Sequence, residues 1–275
     1  MHYRHSFHAG NFADVFKHTV LCALLAGLSR KDKPWSYLET HAGAGRYDLQ
    51  SAGATRTGEW QNGIGALWAV DNLPAPLAAC REQVRALNPD SKLRHYPGSP
   101  LFALALARAD DRVVLCEKVP EVAEELRTAL GEDARVILHR RDGYDAYSLL
   151  PPPEKRGLVL VDPPFERPDE FDAVAAFLEK SLNRFPGGVH AMWYPLKNRH
   201  AAGKFERRVG RATHKGVVLE IETGAAAEGQ MRACGMIVVN PPYGFEADME
   251  PAMKVLVKEL ALGPRAAYRM AALVA

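Results

Sequence analysis

The sequence is poor in the features that mark a secreted, metal-stapled or membrane-bound chain. It has only four cysteines, Cys22, Cys80, Cys116 and Cys234, each in an apolar stretch and none spaced as Cys-x-x-Cys. That argues against a disulfide framework or a cysteine-based metal site, and suits buried thiols in a reducing compartment. No apolar run reaches the roughly 20 residues that span a bilayer. The leading MHYRHSFHAGNF lacks the charged-then-apolar order of a secretory signal. Both absences predict a cytoplasmic protein with no membrane partner. Neither sign of charge is in excess: 35 Lys and Arg stand against 33 Asp and Glu, for a net +2. There is no polybasic tail, yet a local basic face is enough for phosphate contacts, so a nucleic-acid partner is neither demanded nor excluded. What remains is an ordinary globular composition, long enough for one large α/β domain.

Residues 11–28 carry Phe12, Phe16, Val20, Leu24 and Leu28 at intervals of four, with Val15, Leu21 and Leu25 beside them. This is the stripe of an amphipathic helix packed on something larger. Trp35-Ser36-Tyr37-Leu38-Glu39 then reads as a strand, as do the apolar runs at 113–116, 135–138, 158–161 and 190–194. Helices are predicted between them over 120–130, 144–150 and 169–184. Such alternation gives a mostly parallel sheet covered on both faces. Two later strands, 217–221 and 236–239, flank a Gly/Ala-rich segment and can pair antiparallel. Between Gly45 and Val113 the chain is far longer than one crossover needs. With helices predicted over 60–70 and 75–87, residues 48–95 read as a small helical insertion within a single domain, 1–275.

Glu39-Thr40-His41-Ala42-Gly43-Ala44-Gly45 follows the first strand. Glycines such as Gly43 let the backbone approach a ligand closely at the carboxyl edge of a parallel sheet. Glu117 ends the second strand, where an acid can accept hydrogen bonds from ribose hydroxyls, and Asp142-Gly143 follows the third, where a carboxylate can meet an adenine amine. Each feature alone is also an ordinary turn or surface strand end; three in succession point to a cofactor. A nicotinamide-dependent dehydrogenase competes for these features. It would need Gly-x-Gly-x-x-Gly, whereas Arg46, Tyr47 and Asp48 follow Gly45, and its acid should lie about 20 residues on rather than at Glu117.

Leu158-Val159-Leu160-Val161-Asp162-Pro163-Pro164-Phe165 is the most informative stretch. Prolines lack an N–H and fix φ, so the corner is stiff and its carbonyls are fixed in direction. A base amine is a poor nucleophile because its lone pair is delocalised into the ring. The Asp162 carboxylate and the Pro163 carbonyl can hold the two amine hydrogens, Phe165 can stack on the base, and Asp162 can take the proton released after methyl transfer. The plain alternative is a strand followed by a proline-rich loop. Asn240-Pro241-Pro242-Tyr243 has the same form. It ends a late strand expected near the sheet edge, so the chemistry is assigned to Asp162 and Asn240 is read as structural.

The segments YRHSFHAGNFADVFKH, ETHAGAGRYDL, YPGSP, DPPF, MWYPLK and GMIVVNPP together resemble the RlmJ family of bacterial 23S ribosomal RNA adenine-N6 methyltransferases, from Tyr3 to the last strand. The resemblance implies an α/β, class I (Rossmann-like) methyltransferase sheet with a small helical insertion. It also implies S-adenosyl-L-methionine as donor and one adenine of 23S rRNA, free or in early assembly, as acceptor. By matching positions, His18, His41, Ser99, Glu117, Asp142 and Gly143 would line the cofactor pocket. Asp162 would be catalytic, Tyr3 would touch the RNA, and His5 and Lys17 would lie near the target. Glu39 stands where many relatives have aspartate and Phe165 where tyrosine is common, so acid and ring are kept.

The residues themselves fit that picture. His2, His5, His8 and His18 have no cysteine or carboxylate partners at metal-ligand spacing, so no metal is expected. Tyr3, Arg4, His5 and Lys17 make an aromatic, basic leading segment suited to a splayed-out RNA base, or else an ordinary terminus. Ser99 can alternatively cap the helix that follows it. Arg30, Lys197, Arg199, Arg207, Arg208 and Lys215 are candidates for phosphate contact or simply solvated surface. Two other readings stay open: a DNA adenine methyltransferase, which would lack room for a target-recognition domain, and a non-catalytic RNA-binding protein on a degenerate fold.

Overall fold

Asn11 opens the first helix, its side-chain oxygen accepting the N–H groups of Ala13 and Asp14, both at 3.0 Å. Helix α1 (Phe12–Ser29) is apolar and long enough to cross a membrane by length and composition, with a mean hydropathy of 1.4. Because 83% of it is buried inside the fold, it is a core helix rather than an isolated apolar segment. The computed structural model describes residues 5–213, 215–225 and 231–274.

Among those residues the strands are β1 (Ser36–Glu39), β2 (Arg46–Asp48), β3 (His95–Pro97), β4 (Arg112–Cys116), β5 (Val136–His139), β6 (Gly157–Val161), β7 (Val189–Pro195), β8 (Gly216–Glu222), β9 (Ala233–Val239) and β10 (Ala267–Ala272). The further helices are α2 (Ala52–Thr57), α3 (Ile64–Leu67), α4 (Ala75–Ala86), α5 (Ser99–Leu106), α6 (Pro120–Leu130), α7 (Glu170–Arg184), α8 (Arg199–Ala212) and α9 (Phe245–Glu259). An eight-stranded sheet has the order β10-β8-β9-β7-β6-β1-β4-β5. β5, β4, β1, β6 and β7 run parallel, whereas β9 is antiparallel to both β7 and β8. This is the mostly parallel α/β sheet that the alternation of strands and helices predicts. Its central strands are buried on both faces, β6 along its whole length, which is why they read as unbroken apolar runs. One core lies between the sheet and α1, α4, α5 and α9; a second lies under α7 and α8.

Three local expectations change. The helix expected over 60–70 is a 3-10 turn at Glu59–Asn62 followed by the short α3. Gly63 separates them, pressed so closely on the backbone that a Cβ would lie 2.1 Å from the Gly10 carbonyl. The segment after β5 is a 3-10 helix, Gly143–Leu149. Asn240 is not near the sheet edge, because β9 sits between β7 and β8 with β10 outermost. Within 46–97, β2 pairs with β3 and encloses α2, α3 and α4.

Candidate active site

The carboxyl ends of β4, β1 and β6 lie side by side, and backbone hydrogen bonds lock the turn after β1 between its neighbours. The Thr40 N–H donates to Leu160 at 3.1 Å and the Ala42 N–H to Cys116 at 3.0 Å. The Gly43 N–H then donates to Glu117 Oε2 at 3.0 Å, while Glu117 Oε1 accepts from the Val119 N–H at 2.9 Å. Glu117 is thereby drawn over the glycine turn. Asp142 caps the 3-10 helix through the Tyr144 N–H at 3.0 Å and accepts Lys118 Nζ at 2.8 Å. Gly143 packs so tightly on β1 that a Cβ there would fall 1.9 Å from the Thr40 carbonyl. His41 bonds Thr40 Oγ1 at 2.8 Å and meets the Tyr144 ring edge-on at 5.1 Å. Burial lowers its pKa, against the opposing pull of the Asp162, Glu170 and Asp142 carboxylates.

Beneath this rim Glu39 is fully buried and accepts hydrogen bonds from Ser99 Oγ and, at 2.8 Å, from the Tyr37 hydroxyl. Burial pushes its carboxyl up to about 8, against the opposing pull of the two hydroxyls. Ser99 therefore does not cap α5. It is the first residue of that helix, with Gly98 in the cap position, and its hydroxyl is turned to Glu39. His18 shares a 2.8 Å hydrogen bond with the Tyr96 hydroxyl and stacks on Phe102 at 4.4 Å. Burial, together with the neighbouring Lys17 charge, holds its pKa well below the usual value. Its Nε2 is buried without a hydrogen-bond partner.

The strongest electrostatic feature joins α1 to β6. Lys17 Nζ lies 2.6 Å from Asp162 Oδ2 and 3.0 Å from Asp14 Oδ1. Asp14 in turn accepts the Gly10 N–H and pairs with His5 Nε2, both at 2.9 Å. Burial alone would lower the Lys17 pKa, but the facing carboxylates of Asp14 and Asp162 raise it well above its ordinary value. Burial alone would likewise raise the Asp14 carboxyl, but His5 and Lys17 drive it well below its ordinary value. Lys17 thus bridges the carboxylates of Asp14 and Asp162. Lys17 is only 5% exposed, so it faces Asp162 rather than an external phosphate.

At the corner itself Pro163 is buried, Pro164 is exposed and Phe165 has φ +51°. The Phe165 ring sits edge-on to Phe171 at 4.9 Å and to Trp193 at 5.8 Å, partnered on its flank by aromatics that the sequence did not single out. Tyr3 lies outside the described residues. Asp14, Tyr37 and Tyr96 also escaped the sequence reading. Asp14 had a signal: Asp14 and Lys17 are charges one helical turn apart on an otherwise apolar helix.

The look-alike corner is elsewhere. Because β9 runs against β7, Val239 pairs with His190 at the amino end of β7. Asn240 therefore emerges at the opposite end of the strands from Asp162. Its Nδ2 donates to the carbonyls of Pro186 and Gly188, both at 2.9 Å. Among the described residues no three His, Cys, Asp or Glu side chains gather as a metal site.

Residues 32–271 match the family described as Ribosomal RNA large subunit methyltransferase D, RlmJ. The chain is 41% identical over 264 residues to Ribosomal RNA large subunit methyltransferase J of Escherichia coli, covering 94% of this chain and 93% of that protein. It is 40% identical over 263 residues to the protein of the same name from Haemophilus influenzae, with the same coverage. A crystal structure of a Legionella pneumophila protein, 35% identical, superposes with a TM-score of 0.89 over 96% of this chain and 98% of that one.

Proposed function

The chain belongs to the RlmJ family of ribosomal RNA large subunit methyltransferases, and we propose that it methylates the exocyclic N6 of one adenine in 23S rRNA, yielding N6-methyladenine. In this reading S-adenosylmethionine is the donor, and the enzyme acts in the cytoplasm on rRNA that is free or in early assembly. Residues 48–95 form a helical insertion in a single domain, supported by Ile64, Leu67, Leu77, Cys80 and Val84 sharing one core with α1 and the sheet.

The residues present fit the donor. His18 Nε2 is a buried ring nitrogen lacking a partner, and such orphans in native proteins call for a ligand or water. His18, His41, Gly43, Ser99, Glu117, Asp142 and Gly143 would hold it, around the ends of β1, β4 and β5. When bound, S-adenosylmethionine supplies an electrophilic methyl group carried on a sulfonium.

The chain's own contribution is positioning and proton handling. The observation that carries the reading is the placement of Asp162: it ends β6, the hydrogen-bonded neighbour of β1, and Lys17 holds only its Oδ2. Oδ1 is left to accept one hydrogen of the adenine amine, and the rigid Pro163 carbonyl accepts the other. The amine lone pair is then aimed rather than averaged, in a site with preorganised charge. Asp162 receives the proton that the methylated amine releases. A base reaches such a corner only when flipped out of its stack, where Phe165 can meet its face. In this reading His5 and Tyr3 are contacts for the incoming RNA.

A tritiated-methyl transfer assay with deproteinised, unmodified 23S rRNA and with matched DNA tests the assignment. Strong preference for rRNA is expected; preference for DNA would overturn it.

A further inference from the structure

We propose that the outward face of α8 is a phosphate-tracking surface carrying the RNA that flanks the target base. The proposal rests on the rRNA reading above and adds to it where the nucleic acid lies.

Helix α8 presents two kinds of cation. Arg199 and Arg208 are ion-paired: Arg199 with Glu222 at 2.5 Å, and Arg208 with Glu179 and Asp172, both at 2.9 Å. Lys204, Arg207 and Arg211 are different. They recur at helical spacing along one stripe, all three are exposed, and no ion pair forms to any of them among the described residues. Like charges three and four apart on a helix repel, so this stripe is unfavourable until an anion covers it. Glu206, the acid within the helix, is committed to Arg269 at 2.7 Å.

The stripe is also in the right place. α8 follows β7, which is parallel to β6, so its first turn starts at the edge of the sheet where Asp162 emerges. Lys197, exposed just before the helix, lies within electrostatic reach of His8, beside the Asp14 cluster. From Lys204 to Arg211 the stripe runs about 10 Å, leading away from that rim, at ~1.5 Å per residue. An RNA whose flipped base occupies the Asp162 corner therefore has a row of unpaired cations along one exit. Spaced guanidinium and ammonium groups match the charge of a sugar–phosphate backbone, and contacts to phosphate give affinity and register without sequence choice.

The test is a triple variant, Lys204→Gln, Arg207→Gln and Arg211→Gln, against a control with the same charge change elsewhere, Lys92→Gln, Lys254→Gln and Lys258→Gln. Binding of unmodified 23S rRNA is measured across salt concentrations, alongside methyl transfer and S-adenosylmethionine affinity. Each phosphate that the variant no longer neutralises should flatten the log–log salt dependence by about 0.7–0.9. The stripe variant should therefore lose about 2 from that slope and bind RNA roughly tenfold more weakly at moderate salt. KM for RNA should rise with kcat and cofactor affinity near wild type. Unchanged RNA affinity and slope would overturn the proposal, as would an equal loss in the control. If wild-type protein transfers no methyl group to rRNA, the functional reading fails instead, and the two failures are distinguishable.

Discussion

Asp162-Pro163-Pro164-Phe165 and Asn240-Pro241-Pro242-Tyr243 are nearly the same four-residue word, and the fold gives them opposite meanings. Each follows a buried apolar strand, and each holds one non-glycine residue at positive φ, Phe165 at +51° and Asn240 at +53°. Asp162 ends a strand parallel to β1 and meets the buried ammonium of Lys17. Asn240 ends an antiparallel strand, so it leaves the sheet at the other end of the strands and ties down the Pro186 and Gly188 carbonyls. Its aromatic residue, Tyr243, is 96% exposed, whereas Phe165 is flanked by Phe171 and Trp193. Strand direction, more than composition, separates a reactive corner from a structural one.

The contrast breaks most sharply under substitution of the acid. Asp162→Ala should cut methyl transfer by about 10²–10⁴ while S-adenosylmethionine binding, followed by calorimetry, stays near wild type. Comparable loss of cofactor binding would make Asp162 a pocket residue rather than the amine acceptor. Next comes the ammonium that one corner has and the other lacks. Lys17→Met leaves Asp14, and with it Asp162, without their shared cation, and removing one member of a buried ion pair costs roughly 3–5 kcal/mol. Denaturant unfolding should show that loss, and adding Asp14→Asn should restore part of it. A double variant no more stable than the single would contradict the account of the cluster.

Glu39 sharpens the comparison from the cofactor side. Its folded pKa of about 8 lies above the ordinary carboxylate value. Its contribution is therefore fully present at low pH and is lost as pH rises toward and through about 8. Glu39→Gln should flatten the fall in melting temperature between roughly pH 5 and 8; an unchanged slope would mean the group stays ionised. Smallest is the effect at the second corner. Asn240→Ala should cost about 1–2 kcal/mol for the removal of two hydrogen bonds and leave kcat within about twofold of wild type.

Much of this organisation was legible in the sequence. The strands of the parallel sheet stood out as apolar runs, because burial on both faces removes polar alternation. β10 did not, since Ala267–Ala272 is a half-exposed edge strand with few apolar anchors. The helix expected over 60–70 failed at Gly63, where the reason is a close backbone approach to Gly10 that local sequence cannot show. In the site, the residue types at strand ends were readable one by one. The Lys17–Asp162 bond was not, because it joins positions 145 apart. Lys17 looked like a free cation for RNA until the fold buried it.

The most direct measurement is nucleoside analysis of unmodified 23S rRNA after incubation with S-adenosylmethionine and either wild-type protein, Asp162→Ala or Asn240→Ala. The account predicts N6-methyladenosine at a single site with wild type and with Asn240→Ala, and none above background with Asp162→Ala. Methylation surviving loss of Asp162, or abolished in a folded Asn240→Ala protein, would contradict it.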